Sequence, residues 1–263
     1  MRIVRHNAYI SARKKRARIL ALAGFLLLSA SLFVAWYPKY IVLAYVAMLS
    51  GFVIFNMGMQ QVGKWTRNPR NDEILDTRMK GLSDRVTLVH YAAVGKHRIE
   101  HIAVHPGGVA VLTAREVDGA ISRRKGTWRR KGGAFRRLFS FSGPQLGNPD
   151  FETEENLKRV QAWLSENQME VDLQGAVVFV HPKTELDIED PEFPVLHAEE
   201  LPEFFRDLPA DPTFDPEERE RVIELLAAGE GVQTDKAAAS GARRPRPVKR
   251  VAGPKQKKQQ VAR

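Results

Sequence analysis

The sequence predicts an α/β layered domain, a central mixed sheet flanked by helices, preceded by a two-helix transmembrane hairpin. Two uncharged stretches, residues 19–36 and 40–63, are separated only by Tyr37, Pro38 and Lys39. Each suffices to cross a hydrocarbon core, which needs roughly 17–25 helical residues. Beyond them, three β-rich segments, a segment of helical periodicity and a further β-rich segment follow in order, the succession that layers helices on a sheet. A hydrophobic content of 43% allows a packed core and excludes disorder of the whole chain. The absence of cysteine excludes a disulfide framework, thiolate metal sites and cysteine nucleophiles. A net charge of +10 favours anionic partners, either nucleic acid or a membrane surface.

Residues 1–18 read as a basic cytoplasmic N-terminus, with Arg2, Arg5, Arg13, Lys14, Lys15, Arg16 and Arg18 and no acid. Residues 19–63 read as the hairpin, because lipid tolerates no unpaired backbone and a three-residue turn joins the spans. A cleaved signal peptide has similar flanks, but a second span follows at once and no small-x-small site precedes it. A buried soluble pair or an interfacial amphipathic pair would show a polar face, and neither run has one. Basic residues flank both outer ends, with Lys64, Arg67 and Arg70 after the second run and only Lys39 in the loop. That places both termini and the domain on the cytoplasmic side of the inner membrane. Trp36, Tyr37, Tyr40 and Trp65 suit interfacial anchors.

Residues 64–230 form the α/β domain. A helix is expected over 71–82, capped by Asn71, with Asp72 and Glu73 in its first turn and Ile74 and Met79 facing the core. Strands are expected over 86–92, 98–104 and 109–115, divided by turns at 94–97 and 105–108. The second and third carry apolar residues on both faces and read as central strands. A hairpin follows around Asp118-Gly119. Helical spacing of Phe151, Leu157, Val160, Trp163 and Leu164 marks 149–165, and 175–181 reads as a buried strand. Helices close the domain at 198–205 and 216–228. The acidic stretch 185–230 reads as a solvated face turned away from any nucleic acid. Residues 231–263 lose the apolar pattern and read as a disordered basic tail suited to sequence-blind phosphate binding, or to folding back on the acidic stretch.

The run from Arg98 to Ile121, with Glu100-His101, then Pro106-Gly-Gly-Val-Ala-Val-Leu-Thr-Ala-Arg115, then Gly119 before Ile121, resembles the NERD domain, the nuclease-related domain of the restriction-endonuclease-like PD-(D/E)xK superfamily. Asn148-Pro149 matches an Asn-Pro that opens the family's later helix, and Asp72-Glu73 stands where the family has Gly-Glu. The resemblance covers 71 to about 197. It implies a restriction-endonuclease-like layered fold and a site in which an Asp and the Glu of E-x-K hold Mg²⁺ while the Lys serves the attacking water. Carried over, Glu73 keeps the helix carboxylate, and Glu100 replaces the Asp and is the one candidate metal ligand. Thr113 replaces the Glu, Arg115 replaces the Lys, and Glu152 stands where a Gln is expected. A threonine hydroxyl is a poor Mg²⁺ ligand, and an arginine cannot act as a base but can clamp phosphate. Hydrolysis is therefore expected to be slowed by at least about three orders of magnitude, so that no cofactor is required unless activity survives. Glu116 or Asp118 could substitute as ligands. Glu100 and Arg115 are otherwise expected to form a buried ion pair between central strands.

His90, His97, His101 and His105 cluster in sequence, yet their spacing matches no common zinc motif, and polar strand and turn roles are the stronger reading. Arg123, Arg124, Lys125, Trp128, Arg129, Arg130, Lys131, Arg136 and Arg137 form an acid-free segment with interleaved aromatics, including Phe135, Phe139 and Phe141. Such a segment suits a nucleic-acid backbone with base stacking, an anionic lipid surface, or a plain solvated hairpin. The sequence thus reads as a membrane-anchored, nuclease-related protein that binds DNA or RNA with a degenerate, inactive site. The alternatives are an active metal-dependent endonuclease and a membrane-associated scaffold or regulatory protein that needs no nucleic acid. Protein partners are not legible.

Overall fold

A computed structural model describes residues 1–131, 144–229 and 231–236. Its seven-stranded sheet is mixed and is built from β1 (Arg2–His6), β2 (Thr87–Val94), β3 (His97–His105), β4 (Gly108–Arg115), β7 (Leu173–Phe179), β9 (Val195–His197) and β10 (Val232–Lys236). The spatial order is β10-β1-β2-β3-β4-β7-β9. β3 and β4 are interior, as their two-sided apolar pattern requires. A second, three-stranded sheet sets β5 (Gly119–Arg124) between β6 (Thr127–Arg130) and β8 (Thr184–Ile188).

The large sheet is covered on both faces. One face packs α3 (Asn71–Met79) and α5 (Leu201–Asp207) through Leu75, Met79, Leu88, Leu112, Val178 and Leu201. The other packs α4 (Pro149–Glu166) and α6 (Pro216–Ala227) through Val89, Ile102, Val111, Val160, Val222 and Leu226. The pleat separates the faces, since Val109 and Val111 of β4 enter one cluster and Ala110, Leu112 and Ala114 the other.

Two helices project from this body, α1 (Asn7–Val34) and α2 (Ile41–Thr66), joined by a short 3₁₀ turn over Pro38–Tyr40. Both are long and apolar enough to cross a membrane. They bury only small or base-proximal residues against each other: Ile10, Ala17, Gly24 and Ser31 of α1, and Ala44, Gly51, Gly58 and Trp65 of α2. The large side chains point outward, among them Leu22, Phe25, Leu32, Phe33, Val42, Leu49 and Phe52. The approach is backbone to backbone: a β-carbon on Gly58 would lie 2.4 Å from the Ala21 nitrogen, and one on Gly24 would lie 2.3 Å from that of Phe55.

Several expectations need correction. Residues 2–6, read only as part of a basic N-terminus, form strand β1 of the domain. Val4 is fully buried, and the strand pairs in parallel with β2, Arg2 opposite Thr87. The first part of the supposed tail is strand β10, antiparallel to β1 with Val232 opposite His6 and Lys236 opposite Arg2. Residues 237–263 lie outside the described residues. Asn71 does not cap α3. The helix begins at it, and Glu73 reaches back to accept from the Arg70 backbone N–H at 3.0 Å. The hairpin turn is not at Asp118-Gly119 but at Lys125-Gly126. Both of those residues have positive φ, +49° and +73°, as a two-residue type I′ turn demands, and Arg124 pairs with Thr127 across it.

β1 runs directly into α1, so the hairpin leaves the sheet at the His6 end. The registers place the end of β2, the beginning of β3 and the end of β4 at that same end. Glu100 and Arg115 are therefore gathered beneath the base of the hairpin.

Candidate functional site

Thr113 and Arg115 fall on the sheet face that α4 covers, in line with Val109 and Val111, and Glu152 meets Arg115 from the first turn of α4, while Glu100 stands on the neighbouring strand β3. Registered pairing of β3 with β4 runs from His105↔Gly108 to Ile102↔Val111. Glu100 and Thr113 lie beyond it. Opposite Glu100, Tyr91 adopts φ +59°, a costly conformation for an aromatic residue. It interrupts the β2–β3 ladder between His90↔His101 and Ala92↔Ile99. Its ring is held between Trp65 at 5.3 Å and Tyr9 at 5.8 Å.

Within this arrangement every charge has a partner. The Glu100 carboxylate accepts from the Lys64 ammonium at 2.5 Å, at the end of α2. Burial works to raise the Glu100 pKa, but Lys64 above all, with Arg115 further off, outweighs it, and the net direction is down. Arg115 donates to the Leu146 carbonyl at 2.8 Å and to Glu152 at 2.5 Å. The expected Glu100–Arg115 ion pair is thus replaced by two others, because α2 and α4 each bring a nearer partner. Thr113 is buried, its hydroxyl 2.7 Å from that of Thr153, which also bonds the Pro149 carbonyl. Glu73 remains on α3, tied to Arg70.

These residues do not fit a Mg²⁺ site. One carboxylate is neutralised by a lysine, the second position holds a hydroxyl committed to the helix, and the third is a cation. The substitutes expected from the sequence are also engaged, Glu116 by Arg67 and Asp118 by Arg130. Among the described residues no group of three or more His, Asp or Glu side chains is arranged to hold a metal ion. His90 and His101 do meet, Nδ1 to Nδ1 at 2.8 Å, with Asp76 2.8 Å from the other nitrogen of His90. They belong to a buried polar cluster on the opposite face. There Asp72 accepts from Arg70 at 2.8 and 2.9 Å and lies 2.9 Å from Arg5. Burial opposes ionisation of Asp72, but the Arg70 hydrogen bonds, His90 and Arg5 lower its pKa to about 2. Sequence reading missed Arg5, Arg70, Asp72 and Asp76 as a group, because charges distant in the chain carry no common spacing.

The basic segment divides by strand alternation. Arg123 and Trp128, opposite each other across the hairpin, point inward. Arg123 is 6% exposed; it donates to Asp150 at 2.7 Å and to the Glu189 and Asp190 carbonyls. Trp128 donates to Asp150 at 2.9 Å and packs on Phe179. Neither is free to meet a ligand. On the outer face, Arg124 bonds both oxygens of Asp187 at 2.9 Å. Lys131 reaches the same acid at 3.5 Å, and Arg130 is held by Asp118. The acidic stretch therefore borders the basic hairpin rather than turning away, since β8 pairs in parallel with β5 and sets Asp187 beside Ser122. Among the described residues Lys125 and Arg129 pair with no carboxylate. A groove of about 930 Å³ lies over this face, lined by Ser122, Arg124, Lys125, Thr127, Arg129, Arg130, Lys131 and Asp187. Arg136, Arg137, Phe135, Phe139 and Phe141 lie outside the described residues.

The chain matches the family model described as the nuclease-related domain over residues 56–180. No curated protein matches it. No solved structure matches it either. The matched span takes in the end of α2, the strands bearing Glu100, Thr113 and Arg115, and α4, so that the segment gathered beneath the hairpin is the part of the chain similar to the nuclease-related domain, whose general kind is PD-(D/E)xK.

Proposed function

We propose that this chain is a membrane-anchored nucleic-acid-binding protein whose nuclease-related domain no longer cleaves. The observation that carries the reading is the pairing of Glu100 with Lys64 and of Arg115 with Glu152, which leaves the family's metal positions without a free carboxylate pair, beside a groove in which Lys125 and Arg129 pair with no carboxylate among the described residues. Phosphate neutralisation at such a groove gives sequence-blind, salt-sensitive binding. Two outward-facing apolar helices support anchoring in a membrane, and the distribution of basic flanks supports a cytoplasmic domain. Arg115 is withdrawn from the nucleic-acid binding expected of it, since its guanidinium is consumed by Glu152 and Leu146.

The full chain in detergent, incubated with plasmid and with single-stranded DNA in Mg²⁺ or Mn²⁺, tests this beside a Glu100→Ala control. No cleavage is expected, with retarded DNA whose affinity falls as salt rises. The double variant Lys125→Gln/Arg129→Gln should lower the logarithmic salt slope by roughly two, about one for each phosphate left unneutralised. Cleavage abolished by Glu100→Ala would establish the endonuclease alternative. Absence of both cleavage and binding would favour the scaffold alternative.

A further inference from the structure

The cations at the base of the hairpin are of two kinds. Those of α2 and its exit are spent, Lys64 on Glu100 and Arg67 on Glu116. Those of α1 are not. Arg13, Lys14, Lys15, Arg16 and Arg18 pair with no carboxylate among the described residues, and Arg13 alone has a polar partner, the Tyr9 hydroxyl at 2.9 Å. All but the half-buried Lys14 are exposed. Successive residues of a helix turn by about 100°, so these five encircle α1 except along the strip where Ala17 packs on α2. The uncharged run begins at Ile19, immediately after Arg18. The whole set lies within roughly 10 Å along the axis from that boundary.

We infer that residues 13–18 of α1 form a collar that binds anionic phospholipid headgroups, which rests on the membrane-spanning reading of the hairpin. A ring of cations around a helix at the edge of an apolar run meets headgroup phosphates from all sides of the bilayer plane. A nucleic-acid duplex would meet only one side of it. Unpaired cations retain full attraction to an anionic surface, worth roughly fivefold in partition each at low salt. The collar is separate from the groove of the three-stranded sheet, and so the two surfaces can be tested apart.

The test uses the full chain in nanodiscs that mix phosphatidylglycerol with phosphatidylcholine, with native mass spectrometry of the lipids it retains. The expected result is enrichment of phosphatidylglycerol by several-fold, lost in Lys14→Gln/Lys15→Gln/Arg16→Gln/Arg18→Gln. The charge-conserving Lys14→Arg/Lys15→Arg should keep the enrichment, as should Lys125→Gln/Arg129→Gln. Equal retention of both lipids by the wild type, or unchanged enrichment in the glutamine variant, would overturn the collar, as would enrichment lost only in the groove variant. So would loss of oligonucleotide binding in the α1 variant together with displacement of phosphatidylglycerol by the oligonucleotide. Alkaline extraction of membranes keeps the two readings distinguishable. Release of the chain overturns the membrane reading itself, whereas retention without enrichment overturns the collar alone.

Discussion

Arg123 and Arg124 are neighbours in the chain and end in opposite environments. A strand turns successive side chains to opposite faces, so Arg123 enters the interior with Asp150 while Arg124 meets solvent and Asp187. Counting charges treats the two alike, which is why the basic segment was legible as a cluster but not as a surface. The distinction has a measurable consequence. Arg123→Ala leaves Asp150 buried, with one oxygen already unpartnered and the other reduced to Trp128. Removing one member of a buried pair costs about 3–5 kcal/mol, so chemical denaturation of Arg123→Ala should show a loss of that size. Arg124→Ala, whose pair is half-exposed, should fall by less than about 1 kcal/mol. Equal stabilities would refute the inward placement. Glu100 and Arg115 carry the same lesson. The family resemblance located both residues, but their partners, Lys64 and Glu152, come from helices whose arrival at the site no local spacing announces.

At the scale of elements, length and hydropathy made α1 and α2 legible, and two-sided apolar runs did the same for β3 and β4. β1 and β10 were not legible, because five residues with basic flanks and weak alternation read as a basic terminus or a tail until their neighbours in the sheet, β2 for β1 and β1 for β10, are known. Hydropathy also passes over a finer pattern within the two long helices. Ala17, Gly24 and Ser31 recur every seven residues, as do Ala44, Gly51 and Gly58. A seven-residue repeat keeps one face of a helix against its partner, and small residues allow backbones to approach in a setting where burying apolar area gives no drive. The Ala21 backbone leaves no room for a side chain at Gly58. Gly58→Leu should therefore separate the helices and destabilise the hairpin by roughly 1–3 kcal/mol, as overpacking does elsewhere. Cysteines placed at Ala21 and at Met57 or Met59, next to Gly58, report this directly. Their crosslinking should be efficient with Gly58 present and weak with leucine, and undiminished crosslinking would show that the close approach is not required.

For the molecule as a whole, the hairpin and the domain share one foundation. The polar cluster of Arg5, Arg70, Asp72, Asp76, His90 and His101 ties the strand that enters α1 to α3 and to the two strands beneath the base. His101 is fully buried against His90, and Asp72, Glu100 and Lys64 lie within electrostatic reach of it. Burial first, and then His90, lowers its pKa to about 3 from an ordinary 6.5. His105, packed on Phe205 at the other end of β3, is lowered to about 4 chiefly by burial. Both are therefore neutral in the folded chain, while the unfolded chain takes up their protons below about pH 6.5. Between that point and the folded values the unfolded state binds more protons, so stability must fall as pH falls. Asp72 extends the loss through the lower window, from 3.8 towards about 2, as its ion pairs are titrated. Denaturation of the full chain in detergent should thus become easier well above the range in which carboxylates titrate. His101→Gln should flatten the dependence between about pH 6.5 and pH 4 even if it lowers stability overall, since the slope reports bound protons rather than packing. A variant that keeps the parent slope would place the acid sensitivity elsewhere, in His105 or in His6, whose pKa is lowered by burial against α6.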